Sequence, residues 1–135
     1  MRLFDTTFLV DLVNSDPGSG KLAKKIEEEK SFKAISVVTV YEYLRGVYYA
    51  YSATKQLSEK LENAERDLGA FQVIPFTHEI ARQSAQLQAG LERKGEMMGI
   101  NDLYIASTAL LLKLALVTRN SEDFRRVPGL KIESY

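Results

Sequence analysis

The sequence predicts a three-layer α/β domain with a mostly parallel five-stranded sheet, and three observations carry that prediction. Short apolar or β-branched runs recur at Arg2 to Phe4, Ile35 to Val38, Phe71 to Ile74, Ala115 to Thr118 and Leu130 to Glu133. The segments between them space their apolar residues at the period of a helix, and such alternation builds a parallel sheet covered on both faces. At 135 residues, 45% hydrophobic and 27% charged, the chain has the size of one domain, residues 1–135, able to remove roughly two thirds of its unfolded surface from water.

The first strand is short and gives way at Asp5 to TTFLVDLVN, in which Phe8, Leu9 and Leu12 fall on one helical face. Asp16-Pro17-Gly18-Ser19-Gly20 reads as a break, and KLAKKIEEEK after it has the charge pattern of an exposed helix. Ile35 to Val38 forms the second strand, and Thr39 then opens a long helix that carries Leu44, Val47 and a series of tyrosines. A further helical pattern from Thr54 to Leu68 ends at Gly69, and the third strand stops at Pro75. From Thr77, residues Ile80, Ala81, Ala85, Leu87 and Leu91 mark another helix. Gly95 and Gly99 bracket a flexible connection containing Met97-Met98, after which Asn101 or Asp102 begins a helix apolar enough to require burial. The fourth strand leads into a turn at Asn120 to Asp123, Pro128-Gly129 breaks the chain, and the last run is an edge strand.

Composition removes several classes of function. With no cysteine, disulfides and thiolate metal sites are excluded, which fits a reducing cytoplasm, and any metal must be held by oxygen or by the single His78. His78, at a helix start, is assigned no chemistry. No apolar stretch near Met1 has signal-peptide or membrane-spanning length, so the expected location is cytoplasmic with no membrane partner. Eighteen basic residues balance 18 acidic ones, so the overall field does not draw in a polyanion, although Arg45, Arg93, Lys94, Arg119, Arg125 and Arg126 are candidates for a local basic rim.

Chemistry concentrates in four acids. Asp5, Glu42, Asp102 and Asp123 each lie near the end of a strand-like run or at the start of the helix that faces it, where open α/β sheets bind ligands. Taken singly, helix capping accounts for three of them. Thr39-Val40-Tyr41-Glu42 fits a capping box, and Asp102 and Asp123 suit first turns, where the macrodipole favours a carboxylate by about 0.3 to 1 kcal/mol. Asp5 resists that explanation, because it follows a strand expected at the centre of the sheet, where an uncompensated charge is costly. Four acids on one rim repel one another, and a divalent cation removes both problems. All-oxygen ligands suit Mg²⁺ or Mn²⁺ and the chemistry of phosphodiesters.

These motifs resemble the PIN-domain ribonucleases, and within them the VapC-type toxins of toxin–antitoxin pairs, over nearly the whole chain. FDTTFLVDL is similar to the family's opening Asp-Thr-x-φ-φ-φ-Asp (φ apolar), which runs from Asp5 to Asp11, SVVTVYEYLRG to its Glu-x-x-x-Gly, INDLYIASTAL to its Asn-Asp-x-x-Ile-Ala-x-x-Ala helix start, and LVTRNSEDFRRVPGLKI to its Thr-Arg-Asn-x-x-Asp-Phe ending. Thr7 departs from the pattern, since relatives often carry Asn or Ser there. The resemblance implies cleavage of RNA with Asp5, Glu42 and Asp102 holding Mg²⁺ and Asp123 positioning a second ion or the attacking water. Thr6, Thr118 and Asn120 would support the site, and Arg45 and Arg119 are candidates for contact with RNA. The family further implies a VapB-type antitoxin and a homodimer.

Five of the seven tyrosines, Tyr41, Tyr43, Tyr48, Tyr49 and Tyr51, crowd one helix on more than one face, so some are expected to meet a partner chain or a stacked base. The alternative function is a catalytically inactive PIN scaffold that binds RNA or protein and keeps its acids as caps. A receiver is disfavoured because the third strand ends Ile74-Pro75-Phe76 without an acid, and a haloacid-dehalogenase-like phosphatase because the chain reads Asp5-Thr6-Thr7 rather than Asp-x-Asp.

Overall fold

The computed structural model describes all 135 residues. In chain order the elements are β1 (Arg2–Phe4), α1 (Thr6–Val13), α2 (Pro17–Glu29), β2 (Lys33–Ser36), α3 (Val37–Tyr51), α4 (Leu57–Leu68), β3 (Gln72–Ile74), α5 (His78–Arg93), α6 (Ile100–Leu112), β4 (Ala115–Val117), α7 (Ser121–Phe124) and β5 (Ile132–Glu133). The five strands form one wholly parallel sheet in the order β3-β2-β1-β4-β5. Leu3 pairs with Ala34 on one side and Leu116 on the other, so β1 is central. The chain builds outward from β1 through β2 and β3, then returns to its other edge with β4 and β5. The crevice this reversal opens lies at the carboxyl ends of β1 and β4, where parallel sheets place ligands.

Alternation along β1 divides the core in two. Leu3 packs with Leu87, Leu91, Leu103, Ile105 and Leu116, whereas Phe4 points the other way, to Phe8, Leu9, Leu22, Ile26 and Leu68. Truncating a fully buried member such as Ile35 or Leu116 to Ala costs about 2–5 kcal/mol. As its composition requires, α6 is buried, from Leu103 through Ala109 except for half-buried Tyr104, and the Ser107 and Thr108 hydroxyls donate one turn back to the Leu103 and Tyr104 carbonyls. No helix is long and apolar enough to cross a membrane.

Several boundaries differ from the sequence expectation for local reasons. The β-branched pair Val37-Val38 is helical, because Ser36 ends β2 and its hydroxyl accepts from the Val38 N–H at 3.0 Å, starting α3 two residues before Thr39. Asp16 to Gly20 is a helix start rather than a break. Asp16 caps Ser19 at 2.9 Å, and Pro17 occupies the first turn, where a missing N–H costs nothing. Thr54 lies in a turn, its hydroxyl donating to Tyr51, so α4 begins only at Leu57. On α1 the inward face is Phe8, Leu9 and Asp11, and Leu12 is exposed. Met98 packs on the core while Met97 is exposed.

Candidate active site

Asp5 stands where β1 meets α1. Its N–H extends the sheet onto the Val117 carbonyl at 2.9 Å, and its extended backbone makes it the N-cap of α1. Oδ1 accepts from the Thr6 N–H at 2.7 Å, and Oδ2 accepts from the Thr118 hydroxyl at 2.8 Å and the Thr7 hydroxyl at 3.2 Å. The carboxylate is therefore fixed and hydrogen-bonded, but by neutral donors only. Burial pushes its pKa above the ordinary carboxylate value. The bonds from Thr118 and Thr6 oppose that rise, and the nearby Glu42 charge adds to it.

Glu42 lies in the second turn of α3, not the first. Its Oε1 accepts from the Thr6 hydroxyl at 2.7 Å, and Asn101 Nδ2 approaches Oε2 at 3.5 Å. The expected capping box does not form: Ser36 caps the helix, and Thr39 is fully buried one turn in. Asp102 is in the first turn of α6, half-buried, with no side-chain cap at that helix end. Burial first, then the charges of Asp5, Glu42 and Asp123, push its pKa up to about 6. Asp123 is exposed on α7 and acts on the cluster through that repulsion. Side-chain capping thus falls on Asp5, where the sequence favoured it least, and does not account for Glu42, while Asp102 and Asp123 do stand in first turns, where the macrodipole favours an acid.

The structure's ion pairs join Arg2 to Glu29 and Glu133, Lys25 to Glu29, Arg119 to Asp11 and Arg125 to Glu122, leaving Asp5, Glu42, Asp102 and Asp123 without a basic partner. An all-oxygen, mutually repelling set with no counter-charge has the chemistry of a hard divalent site. Its donors fit Mg²⁺ or Mn²⁺, although no three of these acids are already disposed as a cage around one ion. The Thr6 and Thr118 hydroxyls donate to Glu42 and Asp5, and Thr7, despite its departure from the family pattern, also donates to Asp5. Asn120 is exposed, and its N–H, rather than its side chain, contributes: it donates to the Thr118 hydroxyl at 3.0 Å and so directs that proton toward Asp5. Arg45 is exposed on α3, and Arg119 is 58% exposed but tied to Asp11 at 2.6 Å. His78 meets Arg82 at 3.3 Å.

Sequence reasoning gave no role to Asp11 and Asn101, although its motifs contain them, and none to Tyr135. Asp11 had a signal, since it lies three residues after Phe8 and shares its inward face. Tyr135 had none, because its role depends on the chain returning over α1.

A family model described as PIN domain matches residues 2–130. The chain is 29% identical to Ribonuclease VapC2 of Rickettsia felis, over 98% of this chain and 96% of that protein. It is 32% identical to Ribonuclease VapC1 of Methanocaldococcus jannaschii, over 96% and 85%. The crystal structure of VapBC2 from Rickettsia felis bound to a DNA fragment from their promoter contains a chain that superposes with a TM-score of 0.85 at 28% identity, covering 99% of this chain and 98% of that one. The fold, the acid-lined crevice between β1 and β4 and these likenesses together place the chain in the PIN domain family, among its VapC relatives.

Proposed function

We propose that this protein is a magnesium-dependent endoribonuclease, with Mn²⁺ able to replace Mg²⁺, acting as the toxin of a cytoplasmic toxin–antitoxin pair. The observation that carries this reading is the gathering of Asp5, Glu42 and Asp102 toward one sheet crevice with no basic side chain to neutralise them. A bound cation would supply charge neutralisation on the phosphodiester and a lowered pKa for the attacking water. Asp5 is the rigid member, fixed by three donors, and it and Glu42, which accepts from the Thr6 hydroxyl, would hold the ion together with Asp102. Without a metal, burial and the neighbouring acids push the Asp102 pKa up to about 6, a rise that a bound cation would oppose, and Asp123 adds negative charge at the rim.

Two further features support partners. Tyr41, Tyr48 and Tyr49 are exposed along α3, an aromatic surface suited to a second copy of the chain. Phe8, Leu9, Leu12, Val13, Ile26 and Phe71 line an apolar cavity of about 350 Å³ that suits the side chains of a VapB-type antitoxin, in keeping with the solved relative, a VapBC pair.

The test is cleavage of a mixed tRNA and structured-RNA panel by purified protein with Mg²⁺, Mn²⁺ or EDTA, beside Asp5→Asn and Asp102→Asn. We expect metal-dependent cutting that falls at least about 100-fold in both variants. Equal background cutting in all three proteins, together with no Mn²⁺ binding by the wild type, would leave an inactive PIN scaffold in its place.

A further inference from the structure

Beside the acidic crevice lies a second buried carboxylate that the metal-binding reading does not use. Asp11 is 5% exposed on the inward face of α1. Its two oxygens are taken by different elements: Oδ1 accepts from Arg119 Nη1 at 2.6 Å, and Oδ2 accepts from the Tyr135 hydroxyl at 2.6 Å. Tyr135, beyond β5, packs its ring edge-on to Phe8 at 5.3 Å between centroids. Burial and the Asp11 bond raise the phenol's pKa, so it remains a donor.

This cluster touches the site at two points. Arg119 follows Thr118, whose hydroxyl holds Asp5, and the Arg119 N–H donates at 3.3 Å to the Thr7 hydroxyl, which also holds Asp5. Meanwhile 58% of the Arg119 side chain is exposed, with only one guanidinium nitrogen spent on Asp11. A guanidinium bound on one edge and open on the other is oriented for a phosphate, because its donors form a fixed planar fork.

We propose that Asp11 and Tyr135 are positioning residues for RNA cleavage: they clamp Arg119 at the rim of the crevice so that its free edge meets a backbone phosphate of the bound RNA. This rests on the ribonuclease reading above. Asp11 supplies the charge that fixes the guanidinium, and Tyr135 takes the second oxygen so that Asp11 cannot turn away.

The test uses steady-state cleavage, at saturating Mg²⁺, of whichever RNA in the panel the wild type cuts best. Tyr135→Phe keeps the ring against Phe8 and removes only the hydroxyl. Arg119→Gln should raise KM about tenfold with little change in kcat and make binding less salt-dependent by about one phosphate contact. Tyr135→Phe should raise KM about threefold, and in the Arg119→Gln background it should add nothing, the non-additivity expected of residues acting as one unit. A Tyr135→Phe effect that persists in the Arg119→Gln background, or one confined to thermal stability with KM and salt dependence unchanged, overturns the proposal while leaving the nuclease intact. A wild type that cuts no RNA removes the nuclease reading and this proposal with it.

Discussion

Asp5 and Asp11 belong to the same short stretch of chain and are almost equally buried, at 3% and 5% exposure, yet they are held by opposite means. Asp11 has a cation and a phenol, and its charge is answered within the fold. Asp5 has an amide and two hydroxyls, which satisfy its lone pairs and leave its charge unanswered, with Glu42 and Asp102 adding more of the same sign nearby. Hydrogen bonding alone therefore does not distinguish an acid neutralised within the fold from one left open to a metal ion. The presence of a counter-charge does, because a buried carboxylate that is fully bonded but unneutralised retains a standing affinity for a cation.

The largest expected effect separates the two directly. Asp11→Ala removes the partner of both Arg119 and Tyr135 and should cost about 2 kcal/mol, less than a fully buried broken pair because Arg119 can still reach water. Asp5→Asn should leave the urea midpoint of metal-free protein at or above that of wild type. If Asp5→Asn destabilises as much as Asp11→Ala, the contrast between them is lost.

A smaller effect concerns pH. Asp102 shifts from an ordinary value of 3.8 to about 6 on folding, so between those values the folded chain holds a proton that the unfolded chain has released. Stability of the metal-free protein should therefore fall as pH rises through that window and level off above it. The change should be about 1 kcal/mol, allowing for solvent screening of a half-exposed group. Thermal midpoints from pH 4 to 7 would show the slope, and Asp102→Asn should lessen it, leaving the part that the raised Asp5 contributes. The smallest effect is that of Thr118→Val, which removes one donor from Asp5 at a cost of about 1 kcal/mol or less and raises the Asp5 pKa further. The acid limb of the cleavage pH profile should move upward, and an unmoved limb would show that Thr118 does not tune Asp5.

What the sequence made legible follows the range of the interactions involved. Strand positions and the acids themselves were readable, because a sheet residue's environment is set by its own alternating run and the family motifs surround each acid. Helix starts were less so. Val37-Val38 reads as strand by propensity, and a single hydroxyl at Ser36 decides otherwise. Pro17 and its neighbouring glycines read as a break, although Pro at a first turn also begins helices. The division of labour between Asp5 and Asp11 was not legible, because Arg119 and Tyr135 reach α1 only after the chain has crossed the sheet.

The strand order also sets a schedule. Ribosomes deliver the chain amino end first, and the β3-β2-β1 half of the sheet can pair as soon as Ile74 has emerged. The other edge of β1 then stays bare until Ala115 to Val117 arrive, and with them Thr118, which anchors Asp5. Domains tend to fold as units during synthesis, and non-local parallel pairing comes late. A growing chain therefore carries its acids unassembled until β4 and Thr118 have been made, and the cell that makes it meets no completed crevice before then.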